Sequence, residues 1–172
     1  MIRAIAAISK DRVIGAGGTL PWRLRGDLQH FHDLTSDHGK GGVIIMGSRT
    51  YTSIPKRPLS DRVNIVVTRD EAYTEPGVLV AHSLEEGIEL AQHEGFEDIW
   101  IGGGAQVYAR ALPYTDQLDM TLVDTSVAGD TFFPEFEQDF EKIDESEAME
   151  ENGLTYRYVT YRRRASSPVK KV

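Results

Sequence analysis

The sequence predicts a single α/β domain: a mostly parallel central sheet with flanking helices and a C-terminal antiparallel hairpin. Three observations predict it. Segments 2–8, 43–46, 63–67, 78–81 and 98–101 are apolar nearly throughout, the pattern of strands buried on both faces. Helical or glycine-opened stretches separate most of them as far as residue 112, an alternation that favours parallel strands. Beyond 112 strand-like alternation takes over, and Asn152-Gly153 marks a turn.

The first strand leads through Asp11-Arg12-Val13-Ile14-Gly15 into a loop, 15–20, with three glycines in four residues. So many glycines predict a segment that rearranges easily, as a lid does, although a plain surface turn needs the same residues. Pro21-Trp22 then turns into a helix over about 25–36. Leu24, Leu28 and Phe31 recur at four and three, so the spacing places them on one apolar face. Asp27 lies in the first turn at the edge of that face. It reads either as an acid complementing the helix dipole or as a buried acid that binds a cationic or two-donor ligand or manages a proton.

The strand at 43–46 ends in Gly47-Ser48-Arg49-Thr50, where a short helix opens. Glycine, hydroxyls and a cation at such a junction suit an anion, and Ser48 also reads as an ordinary cap. The strand at 63–67 ends in Thr68-Arg69, another hydroxyl and cation. Ser83-Leu84-Glu85-Glu86 is a capping box for a helix to about Gln92, so its glutamates receive no chemistry. After 98–101, Gly102-Gly103-Gly104 opens a helix ending before Pro113, a turn through which a backbone can approach phosphate. It lacks the G-x-G-x-x-G fingerprint, so a standard Rossmann unit is excluded. Residues 117–125 alternate, with Leu118, Met120 and Leu122 on one side and Thr121 on the other. Strands over 140–147 and 155–162 close the domain at 1–162. Residues 163–172 are basic and small-residue-rich, a tail that the composition predicts will fray.

A length of 172 residues supports one real core. The absence of cysteine excludes a disulfide scaffold and thiol chemistry. The net charge of −8 argues against sequence-independent nucleic-acid binding. No stretch approaches the roughly 20 apolar residues of a membrane span, and the start is too short an apolar run for a signal peptide. A monomer in the cytoplasm, with no nucleic-acid or membrane partner, is the expectation. All the marked groups, Asp27, Ser48-Arg49, Thr68-Arg69 and Gly103-Gly104, gather at the carboxyl ends of strands, where ligands of such sheets bind.

These residues carry a resemblance. Ile5-Ala6-Ala7, Asp11-Arg12-Val13-Ile14-Gly15, Leu20-Pro21-Trp22, Asp27 and Phe31 are similar, in order and spacing, to dihydrofolate reductase. So are Met46-Gly47 with Arg49-Thr50, Pro58-Leu59 with Arg62-Val63-Asn64, Gly103-Gly104 with Tyr108, and Gly129-Asp130-Thr131 before Phe133-Pro134. The resemblance covers about residues 2–162. It implies NADPH-dependent reduction of 7,8-dihydrofolate to tetrahydrofolate, with hydride delivered to pterin C6 and a proton to N5, and no metal.

For the chemistry it implies Asp27, Leu20, Trp22 and Thr121, the last a hydroxyl that hydrogen-bonds the acid. For the folate pocket it implies Ile5, Ala6, Asp27, Leu28, Phe31, Ile54, Leu59 and Arg62, the arginine pairing with the substrate's glutamate carboxylate. For NADPH it implies Ala7, Ile14, Gly15, Leu20, Gly47, Ser48, Arg49, Thr50, Thr68, Arg69, Gly103, Gly104, Ala105, Gln106, Val107, Tyr108 and Thr131. Arg49 and Arg69 match positions that hold the 2′-phosphate. Residues 15–20 resemble the lid over nicotinamide, and Gly129-Asp130 the loop that braces it. Ser48 departs from the arginine common there, and Gly102 from the bulky apolar residue common before the glycine pair. Two other readings stand beside this one: a related reductase of another heterocycle, such as the pyrimidine reductase of riboflavin synthesis, and a module that binds NADPH or folate without turnover.

Overall fold

The computed structural model describes all 172 residues. In chain order they form β1 (Ile2–Ile8), β2 (Val13–Gly15), α1 (Arg25–Thr35), β3 (Val43–Gly47), α2 (Ser48–Ser53), β4 (Val63–Val67) and β5 (Leu79–Ala81). There follow α3 (Leu84–His93), β6 (Ile99–Ile101), α4 (Ala105–Ala111), β7 (Gln117–Val123), β8 (Thr131–Phe132), β9 (Phe140–Glu145), β10 (Met149–Glu151) and β11 (Leu154–Arg163).

Nine strands make one sheet in the order β5-β4-β3-β6-β1-β7-β11, with β9 and β10 sharing the outer edge of β11. β1 stands in the middle, parallel to β6 on one side and to β7 on the other. The alternating pattern of 117–123 suggested the antiparallel end of the chain. The strand is in fact parallel to β1 and antiparallel only to β11, because α4 supplies the crossover that returns it to the sheet.

Successive side chains of each central strand enter different cores. Ile45, Ile65 and Ile101 join Leu84 and Ile88 of α3, Val107 and Tyr108 of α4, and Phe133. Ile5, Ile44, Met46, Val66 and Trp100 face the other way, with Tyr51 of α2 and Phe31 and Leu34 of α1 against them. That double burial is why these strands are apolar without alternation.

The predicted C-terminal hairpin has one more piece than expected. β9 stops at Glu145, Ser146 makes hydrogen bonds to the backbone of Tyr158 in both directions, and pairing resumes as β10. Asn152 (φ 52°) and Gly153 (φ 74°) make the β10–β11 turn, with left-handed backbone at both positions. The apolar face assigned to α1 divides. Leu24 is buried and Phe31 half-buried, but Leu28 is 53% exposed at the mouth of the cleft. The tail also differs from expectation. Arg163 belongs to β11, and its guanidinium donates to the carbonyls of Thr115 and Leu112. Ser167 Oγ donates to Asp139 at 2.7 Å and Lys170 N to Pro113 O at 2.9 Å, so carbonyls and a carboxylate on the body hold residues that composition alone would leave loose.

Phe132 and Phe133 are neighbours with opposite fates, 47% and 1% exposed. Phe133→Ala is expected to lower unfolding free energy by about 3–5 kcal/mol. Phe132→Ala is expected to change it by less than about 0.5 kcal/mol. Urea denaturation followed by circular dichroism checks both.

Candidate active site

The acid is assembled from three strands and a helix. Ala7 on β1, Thr121 on β7 and Tyr158 on β11 lie side by side across the sheet, Ala7 opposite Thr121 and Thr121 opposite Tyr158. α1 crosses this row and brings Asp27 down onto it. Thr121 Oγ1 donates to Asp27 Oδ1 at 2.5 Å. Tyr158 donates to the Gly26 carbonyl at 3.3 Å, and its ring stacks on His30 with centroids 3.6 Å apart. Trp22, 8% exposed, packs with Leu24, Val123 and Tyr156 beside the acid, and its Nε1 has no acceptor within the protein. A buried donor of that kind is ready for a ligand or an ordered water.

Burial is the largest influence on the Asp27 carboxyl. Desolvation lifts its carboxyl above the ordinary value of 3.8, the Thr121 hydrogen bond pulls it down, and the negative charge of Glu151 lifts it further. Neither Tyr158 nor Glu151 is marked by its local sequence. The alternation of β11 opposite Thr121 is the only signal for Tyr158, and Glu151 has none.

The expected substrate wall is largely contiguous. Phe31, Ile54 and Leu59 pack against Ile5 on the α1 side of the sheet. Arg62 is held in place: Nη1 donates to Thr35 Oγ1 and Nε to Ser60 O, both at 2.8 Å, and the guanidinium stands 5.7 Å from the Phe31 ring centroid. A cation braced over the end of an apolar wall suits a carboxylate at the far end of an aromatic ligand.

Across β1 two short helices open side by side. α2 starts after Gly47 and α4 after Gly104, and neither has a side-chain cap, so first-turn N–H groups remain for an acceptor. Ser48 is therefore the first helical residue, not the cap that one reading of the sequence made it. Gly47 N donates to Gly103 O at 2.8 Å, which locks the two junctions together. A Cβ on Gly104 would stand 2.9 Å from Thr50 Oγ1, and one on Gly103 (φ 103°) would meet the Tyr108 ring at 3.1 Å. Both positions thus need glycine for close approach. At Gly102 a Cβ would lie 2.8 Å from Ile44 Cδ1, so Ile44 fills the space that a bulkier residue 102 would occupy, and the junction is packed, not loosened. Arg49, Arg69 and Gln106 are exposed along this side, while Val107 and Tyr108 are buried, with Tyr108 donating to Ile5 O at 2.6 Å. Thr68 and Ala105 are half-buried at the same strand ends.

The loop 15–20 is a tight turn. Ala16 and Thr19 bridge, and Gly17 (φ 58°) and Gly18 (φ 81°) form its tip, which accounts for both glycines. β2 pairs with β8, placing Gly15 against Thr131. Gly17 N donates to Asp130 Oδ2 at 3.0 Å and Asp130 N to Gly15 O at 3.2 Å, so the turn is braced by the Gly129-Asp130 segment. Ile14 is half-buried behind it, and Leu20 is 51% exposed where the loop meets Trp22. No group of three or more acidic or histidine side chains is placed to hold a metal ion.

Fold and cleft together define a single-domain α/β protein that sets a half-buried acid opposite a pair of uncapped helix ends, along the carboxyl edge of a mostly parallel sheet. The chain matches the family model for dihydrofolate reductase over residues 1–163. It is 38% identical over 170 residues to dihydrofolate reductase of Bacillus subtilis, covering 97% of each chain. It is 36% identical over 168 residues to that of Mycobacterium tuberculosis, covering 95% of this chain and 98% of the relative. A solved structure of dihydrofolate reductase from Enterococcus faecalis, complexed with NADP(H) and RAB-propyl, superposes with a TM-score of 0.83 at 35% identity, covering 95% and 96% of the two chains. The chain belongs to the dihydrofolate reductase family.

Because folding raises the Asp27 pKa, the unfolded chain ionises first. Its contribution to stability is therefore fully favourable below the ordinary carboxylate pKa of 3.8 and is lost as pH rises through the native value. Asp27→Asn is expected to gain stability relative to the parent across that window and to keep the gain at higher pH. Urea midpoints measured as a function of pH check this, and a gap that does not widen with pH contradicts a burial penalty.

Proposed function

We propose that this chain reduces 7,8-dihydrofolate to 5,6,7,8-tetrahydrofolate with NADPH, serving one-carbon metabolism. The single observation that carries the reading is the part-buried Asp27–Thr121 pair facing an apolar wall that ends in a braced arginine. The pterin's 2-amino group and N3 are two donors matched to two carboxylate oxygens, and Thr121 leaves lone pairs free on both. Phe31, Ile54 and Leu59 flank the aromatic body of the substrate with Ile5 and Ala6, Leu28 closes over it from α1, and Arg62 receives the glutamate carboxylate.

The cleft beyond β1 fits NADPH. The uncapped ends of α2 and α4, the glycine approach at 103–104 and the hydroxyl of Thr50 suit a pyrophosphate. Arg49 and Arg69, with Thr68, receive the 2′-phosphate; Ser48, Ala105 and Gln106 line the phosphate run. Ala7, Ile14 and Tyr108 border the nicotinamide end, under the turn held by Gly15, Leu20 and Thr131. When bound, NADPH supplies the hydride that reaches pterin C6. The protein's task is to place the ring, exclude water with the loop at 15–20, and promote protonation at N5. Asp27 does this by way of water, with its pKa lifted by burial toward the working range. A net proton is consumed with each hydride, so turnover falls as pH rises past the native carboxyl range.

The chain acts as a monomer in the cytoplasm on this reading, with residues 1–162 as the working domain and 163–172 as an accessory tail. No helix is long and apolar enough to cross a membrane.

The direct test is NADPH oxidation, followed by absorbance, with and without dihydrofolate. The absence of dihydrofolate-dependent oxidation would favour the other readings, a reductase of another heterocycle or a binding module. Asp27→Asn is expected to retain NADPH affinity and lose turnover by about 10²–10⁴-fold near neutral pH; parental turnover rules out the role given to Asp27. Arg49→Ala is expected to raise Kd for NADPH about tenfold, one charge-assisted contact, and to leave NADH binding nearly unchanged. Equal losses for the two nucleotides, measured by fluorescence titration, count against a 2′-phosphate site.

A further inference from the structure

The helix that carries Asp27 has no cap of its own. Its N-cap residue is Leu24, whose apolar side chain is 2% exposed and packs with Trp22 and Tyr156. The first-turn N–H groups must find acceptors elsewhere. They find them at the other end of the chain. Glu151, the last residue of β10, accepts from Arg25 N at 2.6 Å with one oxygen and from Gly26 N at 2.9 Å with the other. The next residue, Asn152, donates from Nδ2 to Arg23 O at 2.8 Å. Gly26 is fitted to this contact: a Cβ there would stand 2.7 Å from Tyr156 Oη and 3.2 Å from Glu151 Oε1. Asp27 is the residue that follows. Its carboxylate is thus fixed between Thr121 on the sheet side and the hairpin turn at the helix end.

We infer that the Glu151–Asn152 turn is a positioning device for the reaction: it fixes the first turn of α1, and through it the Asp27 carboxylate, and it sets a second negative charge near that acid. The inference rests on the reductase reading for its kinetic consequences. Glu151 acts through Asp27 and is a positioning residue. Its charge works in the same direction as burial, lifting the Asp27 carboxyl against the pull of Thr121. Its own carboxyl is held low by the two N–H groups and by Arg25. The other titratable groups beside the acid are Tyr158 from β11, pushed up by burial, and His30 on α1, pushed down by burial. Among charged groups it is Glu151 that lifts the Asp27 carboxyl.

The test is Glu151→Gln, which keeps the size, removes the charge and turns one acceptor into a donor. Two readouts are taken. The first is the Asp27 carboxyl titration by carbon-13 NMR in the ligand-free chain, which needs no turnover. It is expected to move to lower pH. The second is steady-state kinetics, where kcat is expected to fall about 10- to 100-fold while KM for NADPH is kept, a loss typical of a displaced catalytic group. The fall of kcat with rising pH is expected to begin at lower pH than in the parent. An unmoved Asp27 titration, or parental kcat in a folded variant, overturns the proposal. If dihydrofolate is not the substrate, the NMR titration still decides the positioning claim, so the two failures are separable. Should Glu151→Gln not fold, Asn152→Gly takes its place. Glycine tolerates the left-handed backbone at 152 and removes only the bond to Arg23 O. A lower kcat with KM for NADPH kept supports the clamp, and parental kcat overturns it.

Discussion

The hydrogen bond from Thr121 to Asp27 ties the middle of the sheet to the helix lying over it, and a chain of requirements hangs on burying that one carboxylate. A carboxylate taken from water needs a donor. The donor here is a hydroxyl on β7, so β7 must lie beside β1 and in register with it, Thr121 opposite Ala7. The helix must present Asp27 at its first turn, so the chain before it must corner sharply at Pro21-Trp22 and bury Leu24. Burying Leu24 forfeits a local cap, and the carboxylate of Glu151 replaces it from 125 positions along the chain. Strand order, helix entry and hairpin length are thereby linked to a single functional group.

The two halves of the cleft use different physics. Around the acid, side chains do the work: a hydroxyl, a stacked Tyr158–His30 pair, an apolar wall and a braced guanidinium. Beyond β1 the backbone does it. Glycines at 47, 102, 103 and 104 leave two helix ends open and close together, and the side chains around them, Ile44, Thr50 and Tyr108, occupy the space the glycines release. A site made of backbone tolerates exchange at a half-buried position such as Ser48. One made of side chains does not.

Most of the scaffold was legible in the sequence because double burial leaves an unmistakable run of apolar residues, as at 43–46 and 63–67. The Asn152-Gly153 turn and the Ser83 cap were legible because their chemistry is local: Glu86 N does donate to Ser83 Oγ, although the Glu86 side chain reaches His82 N in place of the cap residue. What was hidden is what depends on distant residues. Leu28 follows helical spacing faithfully and yet lies 53% exposed, because a cleft interrupts the face that spacing assigns to it. The strand at 117–123 carries no mark of which neighbour it will be parallel to. The tail reads as loose because the carbonyls that hold Arg163 belong to another segment. Asp27 does lie in the first turn of α1, as its spacing suggested, but the balance of its electrostatics involves Glu151, a residue with no local signature.

The position of β1 has a consequence for how the chain comes into being. It precedes the other strands of this sheet in the chain and lies between two parallel neighbours, yet those neighbours are residues 99–101 and 117–123. During translation this apolar segment must wait, unpaired, until residues 99–101 have emerged. The remaining strands β3, β4 and β5 are contiguous enough in sequence to associate early around α3. The nascent sheet therefore has its central strand made but not yet inserted, and Glu151 and Tyr158, which steady the acid, follow later still. Assembly of the reactive end waits for the strands at 149–163, and until then the apolar β1 is open to wrong contacts.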